Sequence, residues 1–164
     1  MKKRFQPDWR VHILEEIDPE RLRMRGIKGA ILDIDNTLVP PHTPVADERA
    51  KQFVKRLQDA GLKVCIVSNN IYERAQRFSN SLQIPFVCDG TKPNAGPFYK
   101  AMDLLGQAPE HIVVIGDQVF TDVWGGNRMG MMTVLVDPIC QDENRLIKWK
   151  RCMEKFVLKG YRNE

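Results

Sequence analysis

Residues 27–39 read IKGAILDIDNTLV, and this stretch decides the fold. The run at residues 30–34 is short and almost continuously apolar, which predicts a strand covered on both faces. Two aspartates, Asp33 and Asp35, stand at its carboxyl end. Side chains two residues apart on a strand point to the same face, so we expect the two carboxylates to converge. Because ligands in open α/β sheets bind outside the carboxyl ends of the strands, we expect an acidic site at that edge.

The rest of the chain repeats the alternation of strand and helix. Four more apolar runs predict strands at residues 63–67, 85–87, 112–115 and 132–136. Helical patterns predict helices at residues 47–58, 72–82, 98–105 and 121–128. This alternation favours an α/β fold with a doubly wound, Rossmann-like, mainly parallel five-stranded sheet. We expect a single domain over residues 1–164, with a catalytic core at residues 27–137.

Composition excludes several classes of protein. Of the 164 residues, 43% are hydrophobic and 28% are charged, which is incompatible with a disordered or collagen-like chain. The four cysteines form no C-x-x-C pair that would hold zinc or perform redox chemistry. No apolar run approaches the roughly 18 residues of a membrane span, and the start of the sequence lacks the apolar core of a signal peptide. These features predict a cytoplasmic protein with reduced thiols.

Further polar side chains follow the other predicted strands. Ser68 comes directly after the second strand, and Lys92 follows the third. Asp117 follows the fourth strand, with Asp122 five residues later. Taken alone, each has a plainer explanation, such as a turn, a helix cap or a solvated side chain. Together they bring carboxylates, a hydroxyl and an ammonium group to one edge of the sheet, a set that suits a phosphate monoester bound with a divalent cation.

The order and spacing of these residues resemble the haloacid dehalogenase (HAD) superfamily of Mg²⁺-dependent aspartyl phosphotransferases. The matching elements are D-x-D-x-T at Asp33, Asp35 and Thr37, the hydroxyl at Ser68, the lysine at Lys92, and G-D-x(4)-D at Gly116, Asp117 and Asp122. The strings TKPNAGPF at residues 91–98 and GDQVFTDVWGGNRMG at residues 116–130 are similar to one branch. This branch is the YqeG-like HAD phosphatases of bacteria, related to the mitochondrial HAD phosphatidylglycerophosphatase.

The resemblance implies catalytic and phosphate-binding roles. It makes Asp33 the nucleophile that forms an aspartyl-phosphate. It makes Asp35 the general acid that protonates the leaving alcohol and then activates water. Thr37, Ser68 and Lys92 would bind the transferring phosphoryl group. The implied activity is therefore the hydrolysis of phosphoric monoesters.

The resemblance also implies a Mg²⁺ site. The ion would be held by Asp33, the backbone carbonyl of Asp35 and Asp117, with Asp122 steadying the surroundings of the metal. The family implies a HAD fold, in which a cap domain often covers the active site. Here only 30 residues separate Thr37 from Ser68, and 24 separate Lys92 from Asp117. Both intervals are consumed by the predicted elements, so we expect no cap and a substrate that is large or anchored to a surface.

The net charge of +4 is concentrated at the two ends of the chain. Residues 1–28 carry eight Lys and Arg against five Asp and Glu, and residues 138–164 carry seven against four. We distinguish a basic lead-in at residues 1–26 and a basic amphipathic helix at residues 143–159. On that helix, an apolar stripe alternates with basic residues: Leu146, Trp149, Met153 and Phe156 with Lys148, Arg151, Lys155 and Lys159. Such a helix packs its stripe on the sheet or lies on a membrane, and both can hold if the apolar residues face inward and the lysines face anionic lipid.

The resemblance, the open site and the basic ends favour phosphatidylglycerophosphate as the substrate. They also predict that the protein binds anionic lipid as a partner and contacts the inner face of the membrane peripherally. One alternative is a phosphatase of a nucleic-acid end or a phosphoprotein, although no stacking motif or long basic stripe supports nucleic acid. Another is an interaction module, for instance in ribosome assembly, with a residual hydrolase site. Near the site, His42 either lines the mouth or is solvated, and Arg128 either meets substrate or caps a helix. Nothing in the sequence indicates an oligomeric state.

Overall fold

Six parallel strands form one sheet with helices on both faces, in a computed structural model that describes residues 4–141, 143–159 and 161. The strands are β1 (Trp9–Val11), β2 (Gly29–Leu32), β3 (Lys63–Val67), β4 (Phe86–Val87), β5 (Ile112–Gly116) and β6 (Met132–Val136). The α-helices are α1 (Pro19–Met24), α2 (Glu48–Asp59), α3 (Tyr72–Leu82), α4 (Ala95–Leu105), α5 (Trp124–Arg128) and α6 (Arg145–Val157). The predicted class, a doubly wound parallel α/β fold, is confirmed. The N-terminal lead-in adds the sixth strand, β1, at the edge beside β6.

β2 lies near the centre of the sheet and fixes where a site can form. All four of its residues are buried, and it pairs with β3 on one side and β5 on the other. The strand order β1-β6-β5-β2-β3-β4 runs outward in both directions from the junction of β2 and β5, which is the switch point of the topology. Ligands in such sheets bind in the crevice at this point. Asp33 and Asp117 are the first residues after these two strands, so both stand at the crevice.

β2, the strand that precedes Asp33, ends earlier than the sequence predicts. β2 ends at Leu32, although the backbone N–H of Asp33 still donates to the carbonyl of Ile115 at 3.1 Å. The chain then turns, because the carbonyl of Ile34 accepts from the N–H of Leu38 at 3.0 Å. Asp35 lies beyond the end of β2 and forms an isolated bridge with Val39 around the turn at residues 36–38, so the period of the strand does not determine the direction of its side chain.

Helices cover the two faces of the sheet with separate apolar layers. The side chain of Asp47 caps α2 by accepting from the N–H of Ala50 at 2.8 Å. One layer includes Phe53, Val54 and Leu57 of α2 and Phe78 of α3, and the other includes Phe98, Ala101 and Leu105 of α4. Where the sequence predicts one helix at residues 121–128, the structure has a π-helical turn at Val119–Val123 followed by α5. A Cβ on Gly125 of α5 would lie 2.4 Å from Phe98, so the glycine permits close packing on α4.

α6 docks through its polar face, so the interpretation in which its apolar stripe packs on the sheet is wrong. The exposed fractions of the stripe residues are 64% for Leu146, 62% for Trp149, 42% for Met153 and 77% for Phe156. Glu154 is buried instead and accepts a hydrogen bond from the N–H of Val119 at 2.8 Å. The carboxylate thereby satisfies a backbone donor in the π-helical turn, which stabilises the polar face in the inward position. In the part of the chain that the structure describes, no helix is both long and apolar enough to cross a membrane.

Candidate active site

Three carboxylates converge at the switch point of the sheet. Asp33 follows β2, Asp117 follows β5, and Asp122 lies in the π-helical turn. Each contributes an oxygen, and the three oxygens lie within 4.8 Å of one another. The N–H of Gln118 donates to Oδ2 of Asp122 at 3.2 Å. Gly116 leaves room for this carboxylate, since a Cβ there would lie 2.2 Å from Asp122 Cγ.

Lys92 connects two of these carboxylates. Its Nζ donates to Oδ1 of Asp33 at 2.8 Å and to Oδ1 of Asp122 at 2.7 Å, and its side chain is only 3% exposed. The backbone N–H of Lys92 donates to Oδ1 of Asn69 at 2.9 Å, which holds the loop beside the end of β3. Burial lowers the pKa of Lys92, but the charges of Asp122 and Asp33 outweigh burial and raise the pKa above its ordinary value. Lys92 therefore remains an ammonium group inside the site.

Negative charge is nevertheless in excess. Burial raises the pKa of Asp33 to about 6; the charge of Asp122 acts in the same direction, and Lys92 opposes both. Burial also raises the pKa of Asp117 well above its usual range, together with the charge of Asp33 and against that of Arg151. Both shifts show that additional positive charge would stabilise the ionised carboxylates. Because the donors are hard oxygens, a divalent cation such as Mg²⁺ fits the three aspartates.

Thr37 holds one carboxylate of the group. The residue is fully buried, and its Oγ1 donates to Oδ1 of Asp117 at 3.1 Å. This bond fixes the rotation of the Asp117 carboxylate relative to Asp33. The sequence-based role of Thr37 in binding phosphate stays a prediction, while the structure gives it an orienting contact.

Asp35 takes hydrogen-bond partners different from those of Asp33, while its charge still raises the pKa of the Asp33 carboxyl, so the two carboxylates lie in one neighbourhood. Arg74, in the first turn of α3, donates to both carboxylate oxygens of Asp35, at 2.6 and 3.2 Å. Nδ2 of Asn70 donates to Oδ2 of Asp35 and to Oγ of Ser68, each at 2.8 Å. Ser68 is thus joined to Asp35 through Asn70. Arg74 is not among the site residues predicted from the sequence. The signal that could have found it is its position four residues after Asn70, just beyond the end of a predicted strand.

Arg151 of α6 reaches the same site from the opposite side. Its guanidinium pairs with the carboxylate of Asp117 and donates to the backbone carbonyl of that residue. It also binds Glu143 at 2.8 Å and Glu154 at 3.3 Å. Burial lowers the pKa of Arg151, but the hydrogen bond to Glu143 and the charge of Asp117 raise it above its ordinary value. In the sequence, Arg151 is one of the basic residues between the stripe positions, and its i, i+3 spacing to Glu154 is the signal that could have indicated an inward contact.

Two other candidates lie outside this network. His42 is exposed in the loop after β2 and has a left-handed backbone, with a φ of 66°. Arg128 donates to the carbonyl of Pro93 at 3.3 Å, and its guanidinium lies 5.7 Å from the centre of the Trp124 ring. These contacts give Arg128 a structural role in holding the loop that carries Lys92.

The described residues contain no cap domain inserted over the site. Between Thr37 and Ser68 the chain forms a loop, α2 and β3. Between Lys92 and Asp117 it forms α4, a short 3₁₀ turn (Pro109–His111) and β5. Both intervals are completely described and consist of elements of the core.

Solved structures with the same architecture include phosphatases. One is the cobalt-bound deoxy-D-mannose-octulosonate 8-phosphate phosphatase of Haemophilus influenzae, with a TM-score of 0.56 and 19% identity over 84% of this chain and 90% of that one. Another is a HAD phosphatase from Thermococcus onnurineus, with a TM-score of 0.54 and 15% identity over 77% of this chain and 98% of that one. The fold is therefore that of the HAD phosphatases.

The family is shown by the sequence. The family model described as mitochondrial PGP phosphatase, where PGP is phosphatidylglycerophosphate, matches residues 1–140. The probable phosphatase YqeG of Bacillus subtilis is 39% identical over 164 residues, covering 100% of this chain and 95% of that protein. This chain belongs to the mitochondrial PGP phosphatase family and is a hydrolase of phosphoric monoesters.

Two relatives carry the name of one substrate. The chloroplastic and mitochondrial phosphatidylglycerophosphate phosphatase 1 of Arabidopsis thaliana is 28% identical over 94% of this chain, which spans 47% of the plant protein. The mitochondrial phosphatidylglycerophosphatase of Saccharomyces cerevisiae is 26% identical over 80% of this chain and 79% of the yeast protein.

Proposed function

We propose that this phosphatase dephosphorylates phosphatidylglycerophosphate to phosphatidylglycerol with Mg²⁺ and through an aspartyl-phosphate on Asp33. The observation that carries the chemistry is the group formed by Asp33, Asp117 and Asp122 around the buried Lys92. The names of the plant and yeast relatives support the choice of substrate. The uncapped site supports a phosphate carried by a large or surface-anchored molecule.

In the first step, Asp33 attacks the phosphorus, and the bond between phosphorus and the glycerol oxygen breaks. The phosphoryl group is then bonded to the Asp33 carboxylate, and the alcohol leaves with a proton from Asp35.

Lys92 orients Oδ1 of Asp33 and offsets the charge of the incoming phosphate. Ser68 and Thr37 complete the proposed phosphoryl site. Bound Mg²⁺, held by Asp33, Asp117 and the backbone carbonyl of Asp35 with Asp122 nearby, would neutralise phosphoryl oxygens.

In the second step, Asp35 takes a proton from water and the water oxygen attacks the phosphorus. The bond between phosphorus and the Asp33 carboxylate breaks, which releases inorganic phosphate and restores Asp33. Arg74 and Asn70 hold the Asp35 carboxylate in one orientation, through three hydrogen bonds of 2.6 to 3.2 Å. A general acid and base must lie within hydrogen-bond reach of both the leaving oxygen and the water, and a fixed carboxylate meets this requirement more readily than a mobile one. Asp35 must bind a proton before the alcohol leaves, and it regains that proton from water in the second step.

The substrate also implies where the protein works. A lipid substrate requires contact with a membrane, which we propose is peripheral and at the inner face, reached from the cytoplasm. We further propose that residues 1–164 act as one domain.

A panel of substrates tests the proposal. Purified protein would be offered vesicle-borne phosphatidylglycerophosphate, a 5′-phosphorylated oligonucleotide and a phosphopeptide, each with Mg²⁺ or with EDTA, and inorganic phosphate would be measured. We expect release from the lipid with Mg²⁺, none with EDTA, and a loss of at least about tenfold in Asp33→Asn. Asp89→Ala, at an exposed pair outside the site, should remain active. Preference for the oligonucleotide or the phosphopeptide, or activity in EDTA, would contradict the proposal.

A further inference from the structure

The apolar stripe of α6, formed by Leu146, Trp149, Met153 and Phe156, is an exposed surface of unusual composition. The residues recur at i, i+3, i+7 and i+10, which places them on one side of the helix. Large apolar side chains that are exposed together, and rimmed by polar residues, mark surfaces that bind a partner or a membrane. The stripe is therefore a candidate docking surface.

The opposite side of α6 is fixed to the active site. Arg151 pairs with Asp117, and Glu154 accepts from the N–H of Val119. Leu158, just after the helix, packs against the small buried cluster of Val119, Val123 and Leu135. These contacts occupy positions i, i+3 and i+7 of the inward side. Because this side is held by charged and apolar contacts together, the stripe remains directed away from the sheet.

The charges beside the stripe indicate which occupant fits. Five basic residues of this segment are exposed: Arg145, Lys148, Lys150, Lys155 and Lys159. Among residues 144–159, which the structure describes without a gap, the acidic residue is Glu154, and it is turned inward. A cationic helix with exposed Trp, Phe and Leu has the composition of helices that lie in the headgroup region of anionic bilayers.

A second copy of the chain fits less well. A two-fold contact through the stripe would bring the same face of both copies together, with the basic residues nearest its margins, Arg145 and Lys150, close to their counterparts. Like charges at such close range repel, whereas phosphate and carboxylate headgroups attract them. The charge pattern thus favours a lipid surface over a dimer.

We propose that the stripe and its flanking basic residues dock the protein on an anionic bilayer. The docked α6 spans about 20 Å along the membrane surface, from the rise of about 1.5 Å per residue. Arg151 on its inward side pairs with Asp117, so docking holds the active site about one helix diameter, roughly 10–12 Å, from the bilayer surface. The link from docking to catalysis rests on the proposed function, whereas the docking itself does not.

Sedimentation with vesicles of phosphatidylserine and phosphatidylcholine tests the docking, because neither lipid is the proposed substrate or product. A stripe variant would carry Leu146→Gln, Trp149→Gln, Met153→Gln and Phe156→Gln, and a charge variant Lys148→Gln, Lys150→Gln, Lys155→Gln and Lys159→Gln. We expect each to lose roughly tenfold or more of the bound fraction. The wild-type protein should bind vesicles of pure phosphatidylcholine much less than it binds vesicles that contain phosphatidylserine. The matched control, Tyr99→Gln with Leu104→Gln, replaces exposed apolar residues of α4 and should bind like wild type.

Activity separates the two proposals. Hydrolysis of a small soluble aryl phosphate should be the same in wild type and both variants, while hydrolysis of vesicle-borne phosphatidylglycerophosphate should fall with binding. If wild type binds vesicles through the stripe and hydrolyses no lipid, the proposed function fails and the docking surface stands. If the stripe variant sediments like wild type, the docking proposal is overturned. It is equally overturned if wild type is a dimer that the stripe variant converts to a monomer, without vesicle binding by either.

Discussion

Removal of the Lys92 ammonium should destabilise the protein severely when no metal is bound. Lys92→Met keeps the length and the apolar stem of the side chain but removes the charge that binds Asp33 and Asp122 at 2.8 and 2.7 Å. The side chains of Lys92 and Asp122 are 3% and 2% exposed, so water cannot replace the lost partner. The variant leaves carboxylates buried against one another without their shared cation.

The size of the effect follows from burial. Breaking a buried ion pair by removing one partner costs about 3–5 kcal/mol, because the remaining charge stays desolvated. Lys100 and Asp89 provide the matched control, since their separation of 3.0 Å is similar but their side chains are 54% and 70% exposed. An exposed pair contributes about 0–1 kcal/mol. Lys100→Met should therefore change the free energy of unfolding by less than about 1 kcal/mol.

Urea unfolding in EDTA at pH 8, followed by circular dichroism, measures both variants. The loss in Lys92→Met should shrink at pH 5, because the orphaned carboxylates can then take up protons. If Lys92→Met and Lys100→Met lose equal free energy at pH 8, the buried network does not have the energetic role assigned to it here. Such equality would refute the reasoning even if activity were lost.

Three further perturbations follow from the same site. Gly116→Ala should displace the carboxylate of Asp122, since the new Cβ would lie 2.2 Å from Asp122 Cγ, and phosphate release should therefore be abolished. The control Gly96→Ala has open space around its new Cβ and should retain full activity. The free energy of unfolding of the metal-free protein should fall as the pH rises from about 4 to about 6, because Asp33 ionises over this range. Burial raises the pKa of Asp33 in the folded state to about 6, so between these pH values the folded state holds a proton that the unfolded state has released. In Asp33→Asn, the free energy of unfolding should change less with pH over this range, and the urea midpoint at pH 8 should be higher than that of the wild type. An unchanged pH dependence would contradict the assignment of this effect to Asp33. Arg74→Gln should lower kcat at least about tenfold by freeing the carboxylate that Arg74 holds, and an unaltered kcat in steady-state assays would argue against its positioning role.

The fold and the acidic site could be predicted because they depend on local signals. Asp33 and Asp117 each follow directly after a buried strand, and their carboxylates come together wherever those two strands are neighbours in a parallel sheet. Lys92 follows the same logic, since the short strand before it ends at the same edge. Apolar runs and polar residues at their carboxyl ends were sufficient for this part.

Other features depend on tertiary contacts that no local pattern carries. β1 has three residues in a charged lead-in, and it forms because β6 offers a free edge. The partner of Asp35 could not be predicted because β2 ends two residues earlier than expected and Arg74 comes from the start of α3, 39 residues further along the chain. On α6, periodicity identifies two faces but does not say which one is inward. Arg151 decides this orientation through its pairing with Asp117, against the usual preference for apolar burial.

The central claim is that Asp33 carries the phosphoryl group during turnover of the lipid, and trapping it is the most direct test. Protein mixed with vesicle-borne phosphatidylglycerophosphate and Mg²⁺ would be quenched in acid, reduced with borohydride and digested for mass spectrometry. An aspartyl-phosphate is converted to homoserine by this treatment, so we predict homoserine at position 33 and an intact Asp33 when EDTA replaces Mg²⁺. Turnover of the lipid with position 33 unmodified, or with the modification at another aspartate, would contradict the account.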